Sequence, residues 1–361
     1  MTPSVDASHV DPAHVDAPHI EVLTIGFDAH EPPEAHGLRR DGVRLMVSMP
    51  GRDPVHVRFT DLPRFLAPGD LLVANTSATV PASLACETPD GRPLRLHVSS
   101  PLPGDLWLME AREPAGAAST PFSGDLEGCT LTLPDGGTAT LLRRYTGSQR
   151  LWIATLQIGS PLVEYLARWG RPIRYAYVTE EWPIDAYQTV YATEPGSAEM
   201  PSAGRPFTPE VITSLVARGV SLAPLVLHTG VSSLEGDERP YPEPYSVPID
   251  TARRVNETRG AGGRVIAIGT TVVRALETVT DSAGTVHPGA GWTDVVVTPQ
   301  HRAAAVDGLL TGFHEPASSH MWVLEAVAGR GALQRAYAAA HEHGYRWHEF
   351  GDSHLILRDH G

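Results

Sequence analysis

The chain has 361 residues, 42% of them apolar and 19% charged, the balance of an ordinary globular protein with room for two domains. Its formal net charge is −14 and it contains no lysine, so every fixed positive charge is an arginine. That excludes Schiff-base chemistry, a lysine base and a phosphate loop of the GxxxxGK type.

Residues 1–20 are rich in Ala, Pro, Asp and His and lack an apolar period, which predicts a flexible tail. His9, His14 and His19 recur there every five residues and read as low-complexity sequence rather than as a metal set. Leu71–Ala74 reads as a buried strand. From about Pro81 to Leu156 come short β-like runs: Leu94–Val98, Leu106–Glu110, Thr130–Leu133, Thr138–Leu142 and Leu151–Leu156. Pro-Asp-Gly at 89–91 and 134–136 marks turns between them, and this spacing predicts a small antiparallel barrel. Cys86 and Cys129 lie far apart with no CxxC, which suggests neither a disulfide framework nor a structural zinc site.

After Pro161 the pattern changes to helices alternating with strands. Helices are predicted over Leu162–Trp169, Pro209–Arg218, Pro248–Arg259, Val272–Thr280 and Met321–His341, and strands over Val220–Leu227 and Arg264–Ile268. The expected fold class is therefore α/β: a discontinuous α/β domain of residues 21–80 and 158–361, with a small antiparallel β-barrel inserted at 81–157. Between Arg143 and Arg174 six arginines face only Glu164, which reads either as a polyanion-facing surface or as a solvated basic face. No apolar run approaches the roughly 18 residues of a membrane span and no signal-peptide pattern opens the chain, so the expected location is the cytoplasm, with no membrane partner.

The most informative stretch runs from Gly262 to Glu277, Gly-Gly-Arg-Val-Ile-Ala-Ile-Gly-Thr-Thr-Val-Val-Arg-Ala-Leu-Glu. A short β-branched strand leads into a glycine turn, and Thr270 or Thr271 can cap the helix that carries Arg274 and Glu277. Such a junction presents backbone N–H groups, two hydroxyls and a guanidinium, an anchor for a carboxylate, a phosphate or a ribose. The alternative is an ordinary βα turn with Arg274 in a surface ion pair with Glu277.

This string is similar to G-R-V-I-A-V-G-T-T-S-V-R-x-L-E of the S-adenosylmethionine:tRNA ribosyltransferase-isomerase family of queuosine biosynthesis. The resemblance extends through Pro68–Asn75, Tyr187–Ala192, Pro195–Ser197, Pro201–Gly204, Leu227–Gly230, Val306–Leu309, Phe313-His314, Gly344–Arg346 and Gly351-Asp352. It implies the inserted-barrel architecture already read from the spacing. It also implies an enzyme that uses S-adenosylmethionine as co-substrate, needs no metal, and donates the ribosyl part rather than the methyl. The sulfonium acidifies the adjacent 5′ carbon, a base opens the ring, and adenine leaves. The aminomethyl group of a 7-deazaguanine in tRNA captures the fragment, and methionine departs as an epoxide closes.

The resemblance makes Gly269, Thr270, Thr271, Arg274, Tyr187, Gln188, Thr189, Gly204 and Phe313 candidates for holding the donor, with His228, Asp307, His314 and Glu243 as candidate catalytic groups. Each has a plain structural alternative. His228 can be a satisfied strand-end histidine, Asp307 an Asx turn before Gly308, and His314 part of a Phe-His-Glu-Pro turn. Tyr187–Tyr191 alternates like an edge strand, and Asp352 can cap an element.

Several positions depart from the family pattern. Ala78 and Ser83 stand where N-[DN]-T-R-V-I-P-A-R-L has arginines, and Ala186 replaces the arginine before Tyr187. Arg205-Pro206 stands in A-G-L-H-F-T, and Glu243 alone remains of M-H-S-E. Lost guanidinium groups weaken a site for anionic partners, and net acidity compounds this for a tRNA. Two other readings stay open on these grounds: a small-molecule acceptor, or a non-catalytic nucleoside-binding homologue.

Overall fold

Leu71–Asn75 and Val265–Ile268 are buried at every position, as central strands of a parallel sheet covered on both faces must be. The computed structural model describes residues 27–115, 118–231, 240–300, 303–316 and 318–358, so the predicted tail with His9, His14 and His19 lies outside the described residues. Strands β1 (Arg44–Ser48), β2 (Val55–Arg58) and β3 (Leu71–Asn75) precede six barrel strands. These are β4 (Ser83–Glu87), β5 (Pro93–Leu102), β6 (Leu106–Ala115), β7 (Cys129–Thr132), β8 (Thr138–Arg144) and β9 (Leu151–Gln157). The chain then returns through β10 (Ser221–Leu227), β11 (Glu243–Val247), β12 (Val265–Ile268), β13 (Gly289–Thr293), β14 (Gly308–Gly312) and β15 (Ser353–Leu357).

A nine-stranded sheet has the order β13-β11-β10-β3-β12-β14-β15-β1-β2. Its centre, β10-β3-β12-β14, is parallel, and β15 runs antiparallel to β14. Helix α1 (Leu162–Trp169) leaves the barrel, burying Tyr165 and Leu166 against it. Helix α2 (Pro209–Ala217) and the 3-10 segment Phe59–Phe65 cover one sheet face through Phe59, Val211 and Leu215. On the other face lie α3 (Ile249–Gly260), α4 (Thr270–Thr278), α5 (His320–Ala328) and α6 (Arg330–Glu342), packed through Val255, Leu276, Leu324 and Tyr337.

The barrel closes because β9 pairs with β6 as well as β8. Leu84, Leu96, Leu108, Leu131, Leu141 and Trp152 fill it. Close approach joins barrel to sheet: a Cβ at Gly230 would lie 2.6 Å from Ser99 Oγ and 2.9 Å from Ser100 Oγ, so a side chain there would displace both hydroxyls. Val231 N–H donates to the same Oγ at 3.0 Å.

Three expectations need correction. The helix predicted over Met321–His341 is two helices, broken at Gly329, whose φ of 76 ends α5 and starts α6. Tyr187–Tyr191 forms no strand; Ile184–Tyr187 is a 3-10 turn, which overrides the alternation. Strand β4 went unrecognised because its Ser-Leu-Ala-Cys-Glu run is short and weakly β-forming. Cys86 and Cys129 are free thiols, with Cys86 pushed up to about 12 by burial. Among the described residues no helix is long and apolar enough to cross a membrane.

Candidate active site

The carboxyl ends of the four parallel strands meet around one cavity of about 170 Å³, where open α/β sheets bind their ligands. Thr79 follows β3, Thr229 follows β10, Gly269–Thr271 follow β12, and Thr311–His314 end β14; all line it. Because β15 runs antiparallel, its amino end lies at the same edge and brings His348 and Glu349 to the wall. Ile173, Tyr175 and Tyr177 close the side nearest the barrel.

Gly269 has φ 94 and ψ 155, a conformation open essentially to glycine alone. It takes the N-cap position of α4, with no side-chain cap, so Thr270 and Thr271 are helical residues and not the expected caps. Thr270 Oγ1 lies 3.1 Å from His320 Nδ1, and His320 stacks on His314 with centroids 4.4 Å apart. His314 Nε2 meets Thr311 Oγ1 at 3.0 Å, and its backbone N–H donates to Tyr337 Oη at 3.2 Å. Burial holds His314 well below the ordinary histidine value and His320 down to about 4, so both rings are neutral at pH 7.

The facing wall carries two carboxyls, each held by a tyrosine. Tyr177 Oη donates to Glu349 Oε2 at 2.7 Å, and Tyr175 Oη donates to Glu199. Tyr177 also stacks on His348 at 4.0 Å. Burial first, and the Glu199 charge in addition, push the Glu349 carboxyl up to about 7, against the opposing Tyr177 hydrogen bond and the Arg205 charge.

A family model described as queuosine biosynthesis protein matches residues 23–356. The S-adenosylmethionine:tRNA ribosyltransferase-isomerase of Moorella thermoacetica is 36% identical, over 93% of this chain and 97% of its own length. The chain belongs to this family. Its namesake from Thermus thermophilus is 36% identical over 92% of this chain and 98% of its own. A solved structure, that of S-adenosylmethionine tRNA ribosyltransferase from Thermotoga maritima, covers 92% of this chain and 96% of that one, with 29% identity and a TM-score of 0.50.

Of the residues that the family resemblance singled out, the cavity gathers Gly269, Thr270, Thr271, Tyr187, Phe313 and His314. The others are not part of its lining. Arg274 is buried and fully engaged: Nη1 pairs with Glu243, Nε donates to Val295 O at 3.1 Å, and Nη2 donates to Tyr241 O and Thr293 O at 3.2 and 3.3 Å. The alternative reading, a surface pair with Glu277, is not what Arg274 shows either: the carboxylate that its Nη1 meets is Glu243, and Glu277 accepts from Ala305 N–H at 2.8 Å. Glu243 spends its second oxygen on Gly230 N–H at 2.8 Å, which ties Arg274 to the barrel junction.

Asp307 is at the opposite edge, before β14 begins, where Oδ2 accepts from Val265 N–H at 2.9 Å. His228 contacts Ser77 Oγ at 2.7 Å, its pKa lowered by burial, and its ring fills the space a Cβ at Gly196 would need. Gln188 clamps both backbone groups of Thr79, at 3.0 and 2.7 Å. Gly204 gives close passage to buried Thr189 and partly buried Tyr191. Asp352 receives Arg44, pairing β1 with β15.

The altered positions show one local exchange: Arg205, buried, donates to the Ala186 carbonyl at 2.8 Å and pairs with Glu34 at 2.9 Å. The arginine-rich stretch is divided, with Arg150 buried on Glu110, Arg144 over Trp152, and Arg171 paired with Glu181. Sequence reasoning missed Tyr175, Tyr177, Glu199, His320, His348 and Glu349. The Tyr-Ala-Tyr sequence at 175–177 was one available signal, since it sets two aromatic hydroxyls within three residues. Asp28, Glu315 and His348 bring ligand atoms within 4.8 Å of one another, an arrangement that the His348–Asp28 hydrogen bond of 3.0 Å already accounts for.

Proposed function

We propose that this enzyme of queuosine synthesis binds S-adenosylmethionine in the cavity at the start of α4. It transfers the ribosyl part to the aminomethyl group of a 7-deazaguanine in tRNA, releasing adenine and methionine and leaving epoxyqueuosine. The observation that carries the reading is the cavity's charge. Its described lining contains two neutral histidines, the carboxyls Glu199, Glu315 and Glu349, His348, and no arginine. A sulfonium cation meets no fixed like charge there and has carboxyls in reach.

The uncapped amino end of α4, with the Thr270 and Thr271 hydroxyls, suits the methionine carboxylate. Phe313, Tyr187 and Ile173 offer apolar walls for adenine. The protein then supplies position, a base and exclusion of water, while the sulfur supplies the leaving group. The relatives named above carry tRNA in their names, which favours tRNA over a small-molecule acceptor despite the lost arginines.

The test is incubation with S-adenosylmethionine and tRNA bearing the aminomethyl-deazaguanine, followed by chromatography of small products and mass analysis of tRNA nucleosides. Adenine, methionine and the modified nucleoside should appear together. Adenine without nucleoside gain points to a small acceptor, and binding without turnover to a nucleoside-binding homologue; either outcome overturns the proposal.

A further inference from the structure

We propose that Glu349 is the base that takes the C5′ proton of the sulfonium donor. This rests on the donor reading above and assigns a residue to its first chemical step. Glu349 stands on the cavity wall, placed by the antiparallel approach of β15 and by a tight bend. His348 is held at φ 70, and a Cβ at Gly351 would lie 2.4 Å from Arg346 O, so Gly351 must be glycine.

The carboxyl is oriented but not neutralised. Oε2 accepts from Tyr177 Oη at 2.7 Å, and among the described residues no cation pairs directly with Glu349. The nearest arginine influence is Arg205, which is tied to Glu34 and the Ala186 carbonyl and lies over the Phe350 ring. Glu199 faces the same carboxyl and adds like charge, Tyr187 feels the Glu349 charge, and His348, Glu315, His314, His320 and Tyr175 are the other titratable groups lining the cavity. Desolvation thus leaves a carboxyl whose proton affinity is near neutrality, the range in which a base works at physiological pH. The bound sulfonium favours its anion, so donor binding itself prepares the base.

Glu199 is less suited. Its carboxyl takes the Tyr175 hydroxyl and Glu199 has a further interaction, while among the described residues the Glu349 carboxyl takes only the Tyr177 hydroxyl and its own backbone N–H. In the step, the C5′–H bond gives its proton to Glu349 and leaves its electron pair on C5′ beside the sulfonium, where it can be reprotonated. That pair then becomes the C4′=C5′ bond as C4′–O4′ breaks. The O4′ pair closes a C1′ carbonyl as C1′–N9 breaks, and adenine leaves with that pair. The proton now on Glu349 balances the anionic adenine, and the sulfonium remains for the later loss of methionine.

The experiment follows wild type, Glu349→Gln, Glu349→Asp and Tyr177→Phe. Donor affinity is read by calorimetry, thermal unfolding by melting, and chemistry by C5′ deuterium uptake from heavy water and adenine release. Expected for Glu349→Gln is a folded protein whose donor affinity falls by no more than about tenfold, the reciprocal of the sulfonium's preference for the carboxylate. Exchange and adenine release should fall about 10²–10⁴-fold. Glu349→Asp should recover part of the exchange. Tyr177→Phe removes a donor to the carboxylate and should move the acid limb of kcat/KM to higher pH.

Two outcomes overturn the assignment. One is a Glu349→Gln enzyme with wild-type exchange and an unchanged acid limb. The other is loss of donor binding parallel to loss of turnover, which would make Glu349 a cation holder instead. Wild-type enzyme that binds the donor but never releases adenine with tRNA overturns the donor reading itself, a different failure.

Discussion

The Arg274 guanidinium has its donors committed before any ligand arrives, to Glu243 and to the carbonyls of Val295, Tyr241 and Thr293. Replacing it with alanine strands a largely buried carboxylate and three acceptors, which costs on the order of 3–5 kcal/mol. Arg274→Ala should therefore lower the urea midpoint sharply, and any loss of donor affinity should track unfolding. Arg274→Lys should rescue little, because an ammonium cannot reproduce the planar fork. A stable Arg274→Ala protein with lost donor affinity would show that the guanidinium grips the methionine carboxylate after all. The sequence named both partners, yet read Arg274 as a holder of the donor and Glu243 as a catalytic group. A charge pattern says that an arginine needs a partner, and only the β11–α4 contact decides whether that partner is a substrate or Glu243. Asp307 misled for a related reason. Its Asp-Gly pair is legible as a turn, but which edge of the sheet the turn occupies is fixed by strand direction.

The β12–α4 junction was the easiest element to read, and its chemistry follows from backbone alone. Gly269 sits where an L side chain is strained, and a Cβ there would also press to 3.4 Å from Ala203 Cβ. Gly269→Ala should cost about 1–3 kcal/mol of stability. It should also weaken donor binding, since Ala203, Thr270 and Thr271 share the cavity wall. Calorimetric affinity together with urea unfolding checks this, and a fully stable, fully binding variant refutes it. Short strands with turn signals every few residues likewise made the barrel legible, because period-2 burial is a local property. The Glu349–Tyr177 and Glu199–Tyr175 pairs were not legible. Glu349 and Tyr177 lie 172 positions apart, and their contact exists only once β15 has paired with β14 and the barrel has folded against the sheet.

Taken across the molecule, the buried ionisable groups give stability a pH dependence whose sign can be worked out. Burial holds His320 down to about 4 and His354 down to about 3, with His314 also well below the usual 6.5. Below pH 6.5 the unfolded chain binds protons that these folded histidines refuse, so each makes stability fall as pH drops toward its folded value. Glu349 acts in the opposite sense. Its folded carboxyl is raised from 4.5 to about 7, so the folded state holds the extra proton across that window. Its contribution to stability is present below 4.5 and fades as pH rises to about 7. His97, His314, His320 and His354, with His228, His348 and His56 also lowered, against one raised carboxyl leave a net loss of stability on acidification between pH 6.5 and 4.5. Removing the carboxyl's opposing contribution should make that loss steeper: Glu349→Gln should add about 1.4 kcal/mol per pH unit to the slope. Urea unfolding of wild type and Glu349→Gln at pH 6.5 and 5 reads the difference directly, with no substrate present. Parallel slopes would mean that Glu349 titrates as an ordinary exposed carboxyl, and the raised proton affinity that suits it to act as a base would be lost with them.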